Sequence, residues 1–187
     1  MATVVPLEAI APDMVEALLD RAFGPQRHAR TAYRIRAGMA WLPSLSFAAL
    51  DDDEYLVATI QLWPVGLVDP EGRAHPFLMV GPVAVLPERQ GEGFGKALML
   101  AALAAIADSA TEQRPALPQI LIGDPDYYGR FFGFSGAPAS DWHCPGPFER
   151  ERLLVRAANP AILPPTGMLG PWVGNSKASI DKEALAR

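Results

Sequence analysis

The sequence is short of the residues that build disulfides and metal sites. It has one cysteine, Cys144, which excludes an internal disulfide and cannot form a zinc site alone. Its three histidines, His28, His75 and His143, are scattered and form no pair with the spacing of metal ligands on a helix. We therefore expect no bound metal.

Excess positive charge and long apolar runs are also missing. The net charge of −5 argues against nucleic-acid binding, because contact with phosphates needs a basic face. No run of about 18 residues is free of Gly, Pro and charge, so we expect no membrane span. The first residues lack a basic start followed by an unbroken apolar run, which argues against a signal peptide. These absences predict a soluble, cytoplasmic protein.

What the sequence does have is apolar content, since 50% of its 187 residues are hydrophobic. This length and composition fit one domain with a sizeable core. We predict a single domain over residues 1–173, with Pro/Gly-rich loops from residue 135, and a polar, flexible tail over residues 174–187.

Hydrophobic periodicity predicts a mixed α/β chain. The predicted strands cover residues 3–10, 44–50, 55–65, 75–85, 118–124 and 152–157. The predicted helices cover residues 13–22 with Asp13 as a cap, 28–37, an Ala/Leu-rich segment that ends near 107, and 125–134. The early strands form antiparallel hairpins, whereas the later strand–helix–strand unit favours parallel pairing.

The segment "VAVLPERQGEGFGKALMLAALAAIA", residues 83–107, places three alternate glycines between a strand and a helix. Free N–H groups and the dipole at a helix N-terminus attract a pyrophosphate, and glycines let the backbone approach it. Arg89 and Lys96 would add positive charge locally. A tight turn without a ligand is the alternative, although three glycines exceed what tightness requires.

Two phosphate-binding templates fail on this segment. The nucleotide P-loop requires glycine where Gln90 stands and a hydroxyl residue where Ala97 stands. The dinucleotide fingerprint, begun at Gly91, would place its third glycine at Lys96.

A third template fits, because Gln90-x-x-Gly93-x-Gly95 follows the apolar pattern "VAVLP". This arrangement resembles the acyl-CoA signature of the GNAT superfamily of N-acyltransferases. The segment "GDPDYYGRFFGF", residues 123–134, resembles the second signature region of that superfamily. Together the two segments are most similar to the YhbS-like predicted acetyltransferases, over roughly residues 3–157.

The resemblance implies an α/β (α+β) fold in which helices flank a mixed, mostly antiparallel, twisted sheet. It also implies a splayed parallel strand pair that binds acyl-CoA, with acetyl-CoA as co-substrate and no metal. The implied cofactor-binding residues, acting mostly through the backbone, are Val83, Ala84, Val85, Gln90, Gly91, Glu92, Gly93, Phe94, Gly95 and Lys96.

The same resemblance implies Tyr128 as the general acid for the CoA sulfur. Tyr127 is the alternative, because Phe131 and Phe132 give the segment one residue more than the family pattern. No Asp or Glu lies in residues 77–85, so no general base is assigned.

The implied function is N-acetyl transfer by direct attack of an acceptor amine, small molecule or peptide, on acetyl-CoA. Four aromatic residues are candidates for the acceptor side: Tyr33, Trp41, Trp63 and Phe77. Neither nucleic acid nor membrane is an expected partner, and a homodimer is possible. The alternative function is an acyl-CoA-binding sensor or a structural protein of the same fold without efficient turnover.

Overall fold

The computed structural model describes residues 2–174 of the chain. The chain divides into two compact units. The first unit contains residues 2–30, Ala40–Trp63 and Met79–Leu117. The second unit contains Thr31–Met39, Pro64–Leu78 and residues 118–174. The predicted tail lies outside the described residues from position 175, so its flexibility stays a prediction.

The described residues form eight strands and four α-helices joined by short 3₁₀ turns. The strands are β1 Thr3–Pro6, β2 Phe47–Leu50, β3 Leu56–Val68, β4 Ala74–Val85, β5 Gln119–Ile122, β6 Asp141–His143, β7 Leu153–Arg156 and β8 Thr166–Pro171. The helices are α1 Pro12–Phe23, α2 Thr31–Ile35, α3 Phe94–Ser109 and α4 Pro125–Phe132.

All eight strands belong to one mixed sheet with the order β1-β2-β3-β4-β5-β7, while β8 pairs with β3 and β6. Pairing is antiparallel for β1 with β2, β2 with β3, β5 with β7 and β3 with β8. Strand β6 pairs with β8 in parallel. The predicted fold class is therefore confirmed, and β4 and β5, which flank α3 in the chain, are neighbours in the sheet. The splay of that pair stays a prediction.

In the first unit, helices α1 and α3 contact side chains that alternate along β4. Ala84 belongs to the core cluster that α1 builds with Leu18 and Leu19. A Cβ added to Gly95 in α3 would lie 3.5 Å from Val85 Cγ2 and 3.8 Å from Val83 Cγ1. Because successive side chains point to opposite faces of a strand, α1 and α3 cover opposite faces of β4. The turn between β4 and α3 is thus anchored on a strand that is packed on both sides.

In the second unit, the core is built around Trp142 of β6, which is fully buried. Its ring meets Phe77 edge-on at a centroid distance of 5.3 Å, and its Nε1 donates to the Pro164 carbonyl oxygen at 2.8 Å. Both polar and apolar parts of the indole are therefore satisfied by the chain itself.

The prediction that residues beyond 135 form loops around one strand is wrong, because β6 and β8 also form there. Strand β8 contains Gly167, Gly170 and Pro171, which lower its intrinsic strand propensity. A Cβ on Gly167 would lie 2.8 Å from the Val68 carbonyl oxygen, so glycine is needed for this close pairing. Tertiary packing overrides local propensity here.

Two helix predictions also need correction. Helix α1 begins at Pro12 with Ala11 as N-cap, so Asp13 lies in the first turn and does not cap. The helix predicted over residues 28–37 is a 3₁₀ turn, Arg27–Ala29, followed by the short α2. Within residues 2–174, no helix combines the length and apolar character that a membrane crossing requires.

Candidate active site

The turn between β4 and α3 has a backbone conformation that favours glycine at two of its positions. Gly91 has φ +84° and Gly93 has φ +90°, both in the left-handed region that favours glycine. Gly93 is the N-cap of α3, and Phe94 is the first helical residue. An added Cβ on Gly91 or Gly93 would meet no atom within 4 Å. The space beside both glycines is therefore open to a ligand.

The backbone of this turn presents donors that the chain does not use. Ala97 N donates to the Gly93 carbonyl oxygen at 3.0 Å, which is the first hydrogen bond of α3. Among residues 2–174, no acceptor pairs with the N–H groups of Gly91, Glu92 or Gly93. Unpartnered N–H groups at a helix N-terminus form an anion site, because the helix dipole adds to their charge.

The predicted cofactor-binding residues form one continuous feature of the first unit. Val83, Ala84 and Val85 end β4, and Gln90 closes the 3₁₀ turn Pro87–Arg89. The glycine turn follows, and the rest of the predicted set opens α3. Their contacts with CoA stay a prediction.

Arg89 does not supply the free positive charge that the sequence suggested. Its NH1 donates to Asp51 Oδ2 at 2.6 Å, and its Nε donates to Glu92 Oε1 at 2.9 Å. Its guanidinium carbon also lies 5.1 Å from the centre of the Phe94 ring. The guanidinium charge is thus compensated by two carboxylates. The sequence missed this because Asp51 is distant in the chain.

The helix that carries Tyr128 is capped as its sequence indicates. Asp124 Oδ1 accepts from the Asp126 N–H at 2.9 Å, and Pro125 occupies the first helical turn. Gly133 ends α4 in the left-handed conformation, with φ +73°. Asp124 is therefore the N-cap of α4, which accounts for its position without a catalytic role.

The ring of Tyr128 lies directly against Gly123. A Cβ on Gly123 would be 2.4 Å from Tyr128 Cε2, far inside any real contact distance. Burial raises the pKa of Tyr128 to about 12, and the neighbouring Tyr127 adds to the rise. No group among residues 2–174 forms a hydrogen bond with the Tyr128 hydroxyl. The Tyr128 hydroxyl therefore keeps its proton at neutral pH and is available as a hydrogen-bond donor.

Tyr127 meets the Tyr128 ring edge-on at a centroid distance of 5.0 Å. Burial raises the pKa of Tyr127 as well, so both hydroxyls are protonated at neutral pH. The choice between them stays a prediction, which mutation must test.

We expect Gly123→Ala to displace the Tyr128 ring, because the new methyl group would occupy the position of its edge. Such overpacking typically costs about 1–3 kcal/mol. The ring proton shifts of Tyr128 and the free energy of unfolding measure the two effects. Gly136→Ala is the matched control, since its Cβ would lie 3.5 Å from the nearest atom, the Leu153 carbonyl oxygen. Unchanged Tyr128 shifts in Gly123→Ala would contradict the close packing.

The aromatic residues predicted for the acceptor side have different environments. Phe77 is buried against Trp142, and Trp41 packs on the hydrophobic cluster around α1. The Tyr33 ring lies under the Arg36 guanidinium, at 4.2 Å from its carbon to the ring centre. Phe77 and Trp41 thus have structural roles, whereas an acceptor role for Tyr33 and Trp63 stays a prediction.

Within residues 2–174, no group of three or more His, Cys, Asp or Glu side chains is placed to hold a metal ion.

Comparison with protein families gives one match that covers more than half of the chain. The model described as the Acetyltransferase (GNAT) family matches residues 12–115, which run from the start of α1 through the glycine turn to beyond the end of α3. A comparison with curated proteins finds no match.

Solved structures of similar fold include two that contain CoA ligands. The GNAT family N-acetyltransferase YhbS from Escherichia coli, in complex with CoA, is 24% identical, with a TM-score of 0.63. That match covers 91% of this chain and 88% of the other. A GNAT family acetyltransferase from Brucella melitensis, in complex with acetyl-CoA, is 22% identical, with a TM-score of 0.55 and coverage of 85% and 89%. These likenesses establish the shared fold.

Proposed function

Because the chain belongs to the acetyltransferase (GNAT) family, we propose that it transfers an acetyl group from acetyl-CoA to the amine of an acceptor. The substrate that binds at the glycine turn is then acetyl-CoA, and the acceptor is a small molecule or a peptide. The two neighbours of similar fold that contain CoA and acetyl-CoA support this choice of co-substrate.

The observation that carries the proposal is the set of unpartnered N–H groups at Gly91, Glu92 and Gly93. A pyrophosphate offers several anionic oxygens, which suit a cluster of backbone donors at a helix N-terminus. The open space beside Gly91 and Gly93 allows the approach that a side chain would block. The turn therefore fits the diphosphate of acetyl-CoA in both chemistry and shape.

Direct transfer also requires that the pantetheine arm is oriented and that protons are transferred to the sulfur and from the amine. The strand Val83–Val85 would orient the pantetheine arm through backbone groups, and the thioester supplies the activated acetyl group. We assign to Tyr128 the donation of a hydrogen bond or proton to the departing sulfur. A neutral acceptor amine attacks the carbonyl carbon, and the C–S bond breaks to release CoA. The proton of the amine passes to water, because no side chain is assigned as base.

Binding without efficient turnover is the second candidate, and the contacts of three candidate carboxylates, Glu88, Glu92 and Asp124, favour it. Glu88 pairs with Arg21 at 2.5 Å, Glu92 pairs with Arg89, and Asp124 caps α4. None of these carboxylates is available as a dedicated base, so the chain could act as an acyl-CoA sensor.

We expect calorimetric titration with acetyl-CoA to show binding, and addition of an amine panel to release free CoA faster than in protein-free buffer. Thiol detection over time gives the rate. Binding without release for any amine would favour the sensor. Failure to bind acetyl-CoA would contradict both functions.

A further inference from the structure

Arg89 joins three separate parts of the first unit. Besides Asp51 Oδ2 in the β2–β3 turn, its Nε contacts both carboxylate oxygens of Glu92, at 2.9 Å and 3.1 Å. Its guanidinium also lies over the ring of Phe94, a buried side chain at the start of α3. One side chain thus connects the β2–β3 turn, the glycine turn and the helix that follows.

Asp51 is itself held in a fixed position. Its Oδ1 accepts from the N–H groups of Asp53 and Tyr55, at 3.1 Å and 2.9 Å. Its hydrogen bond with Arg89 lowers the pKa of Asp51, so the carboxylate is charged at neutral pH. Oδ2 is left to receive Arg89, which therefore has an anchored partner outside the glycine turn.

Charge alone predicts the wrong role for these carboxylates. A pyrophosphate at the turn would be repelled by Asp51 and Glu92 and attracted by Arg89. On that basis, removal of Asp51 would free Arg89 and strengthen phosphate binding. The geometry indicates the opposite, because the Arg89 guanidinium binds Asp51 on one side and Glu92 on the other. A guanidinium is planar and rigid, which suits it to bridging two carboxylates.

The glycine turn needs such support. Gly91 and Gly93 are conformationally free in the unfolded chain, and an added Cβ would meet nothing beside either of them. Glu92 lies between the two glycines, and Arg89 donates to both oxygens of its carboxylate. Holding Glu92 restricts the turn to the conformation in which its N–H groups form an anion site.

We propose that Arg89 is a positioning residue that preorders the glycine turn through Asp51 and Glu92, so that two carboxylates strengthen the binding of the CoA diphosphate. The inference rests on the proposed binding of CoA at this turn. Preorganisation raises affinity because less conformational freedom is lost when the ligand binds.

The test compares Asp51→Asn with Asp53→Asn by calorimetric titration with CoA. Asp51→Asn keeps an oxygen for the N–H groups of the β2–β3 turn but loses the ion pair with Arg89. We expect the Kd for CoA to rise about 2–30-fold, the range that residues outside a binding site typically control. Asp53→Asn removes the same charge from the same turn without a contact to Arg89, so its Kd should stay within about twofold.

A second ligand and a second variant separate positioning from general loss of structure. Pantetheine lacks the diphosphate, so its affinity, measured by ligand-observed NMR, should be equal in the wild type and Asp51→Asn. Glu92→Gln should reproduce the loss for CoA. The NMR order parameters of the Gly91 and Gly93 amides in the ligand-free protein should fall in both variants, because the turn samples more conformations.

Either of two results for CoA binding would overturn the inference. Tighter CoA binding by Asp51→Asn would make Arg89 a direct phosphate ligand, and unchanged binding and order parameters in both variants would remove any positioning role. In either case the wild type still binds CoA and the proposed function stands. A wild type that binds no CoA would refute the proposed function and this inference together.

Discussion

Replacement of Gly93 with valine is expected to weaken acetyl-CoA binding about 100-fold or more. The side chain would project into the space beside the turn that is open in the structure, since no atom lies within 4 Å of an added Cβ. Two charge-assisted hydrogen bonds of about 1.5–3 kcal/mol each would be blocked or misdirected, which corresponds to roughly 10²–10⁴ in Kd. Calorimetric titration of both proteins measures the change.

Strain is the competing explanation for such a loss, because Gly93 has φ +90° and a β-branched residue tolerates that poorly. Gly24→Val is the matched control, with φ +84°, open surroundings and a position in the same unit, outside the turn. Both variants should lose about 1–3 kcal/mol of unfolding free energy, but only Gly93→Val should lose affinity. Equal affinity in Gly93→Val and the wild type would refute diphosphate binding at this turn.

Gly95 is a useful contrast within the same signature. Its Cβ would make ordinary contacts with the half-buried side chains of Val83 and Val85. The structure thus separates a glycine beside which space is open from one that packs closely on the strand.

The parts of the site that sequence could predict are those set by local chemistry. The glycine turn, its place between β4 and α3, and the Asp124 cap of α4 each depend on residues a few positions apart. The signals were three alternate glycines, an apolar strand before them, and an aspartate followed by proline at the start of α4. Local sequence rules therefore predict the secondary-structure elements around the site and the glycine turn at the N-terminus of α3.

The parts that sequence could not predict depend on contacts between distant residues. Arg89 reaches Asp51 across 38 positions, which reverses the role that its charge suggested. Strand β8 forms against β3 although its own glycines and proline disfavour a strand. In each case a partner from another segment decides the outcome.

Tyr128→Phe is expected to lower kcat about 100-fold while leaving the affinity for acetyl-CoA unchanged. The substitution keeps the ring that packs on Gly123 and removes a hydroxyl that has no hydrogen-bond partner among residues 2–174. General acids contribute about 10²–10⁴-fold. We expect an effect at the lower end of this range, because Tyr128, with a pKa of about 12, is a weaker acid than a thiol, whose pKa is about 8.5. Tyr128 would therefore act mainly as a hydrogen-bond donor to the sulfur.

The raised pKa also fixes the pH dependence. Burial disfavours the phenolate, so the Tyr128 hydroxyl keeps its proton below its pKa of about 12 and loses that proton only above this pH. Between about pH 7 and 10, kcat of the wild type should therefore show no decline from Tyr128, with an amine that is already neutral in that range. A tyrosine with an ordinary pKa would start to lose its proton near the upper end of that range.

Tyr127→Phe is the matched control, because it removes the same hydroxyl from the adjacent ring of the same helix. If Tyr127→Phe lowers kcat and Tyr128→Phe does not, the additional residue at Phe131–Phe132 has shifted the role by one position. If neither variant changes kcat on an amine that the wild type acetylates, no tyrosine of α4 donates to the leaving sulfur, and water protonates the thiolate. A parallel loss of acetyl-CoA affinity in Tyr128→Phe would instead assign the hydroxyl to substrate binding.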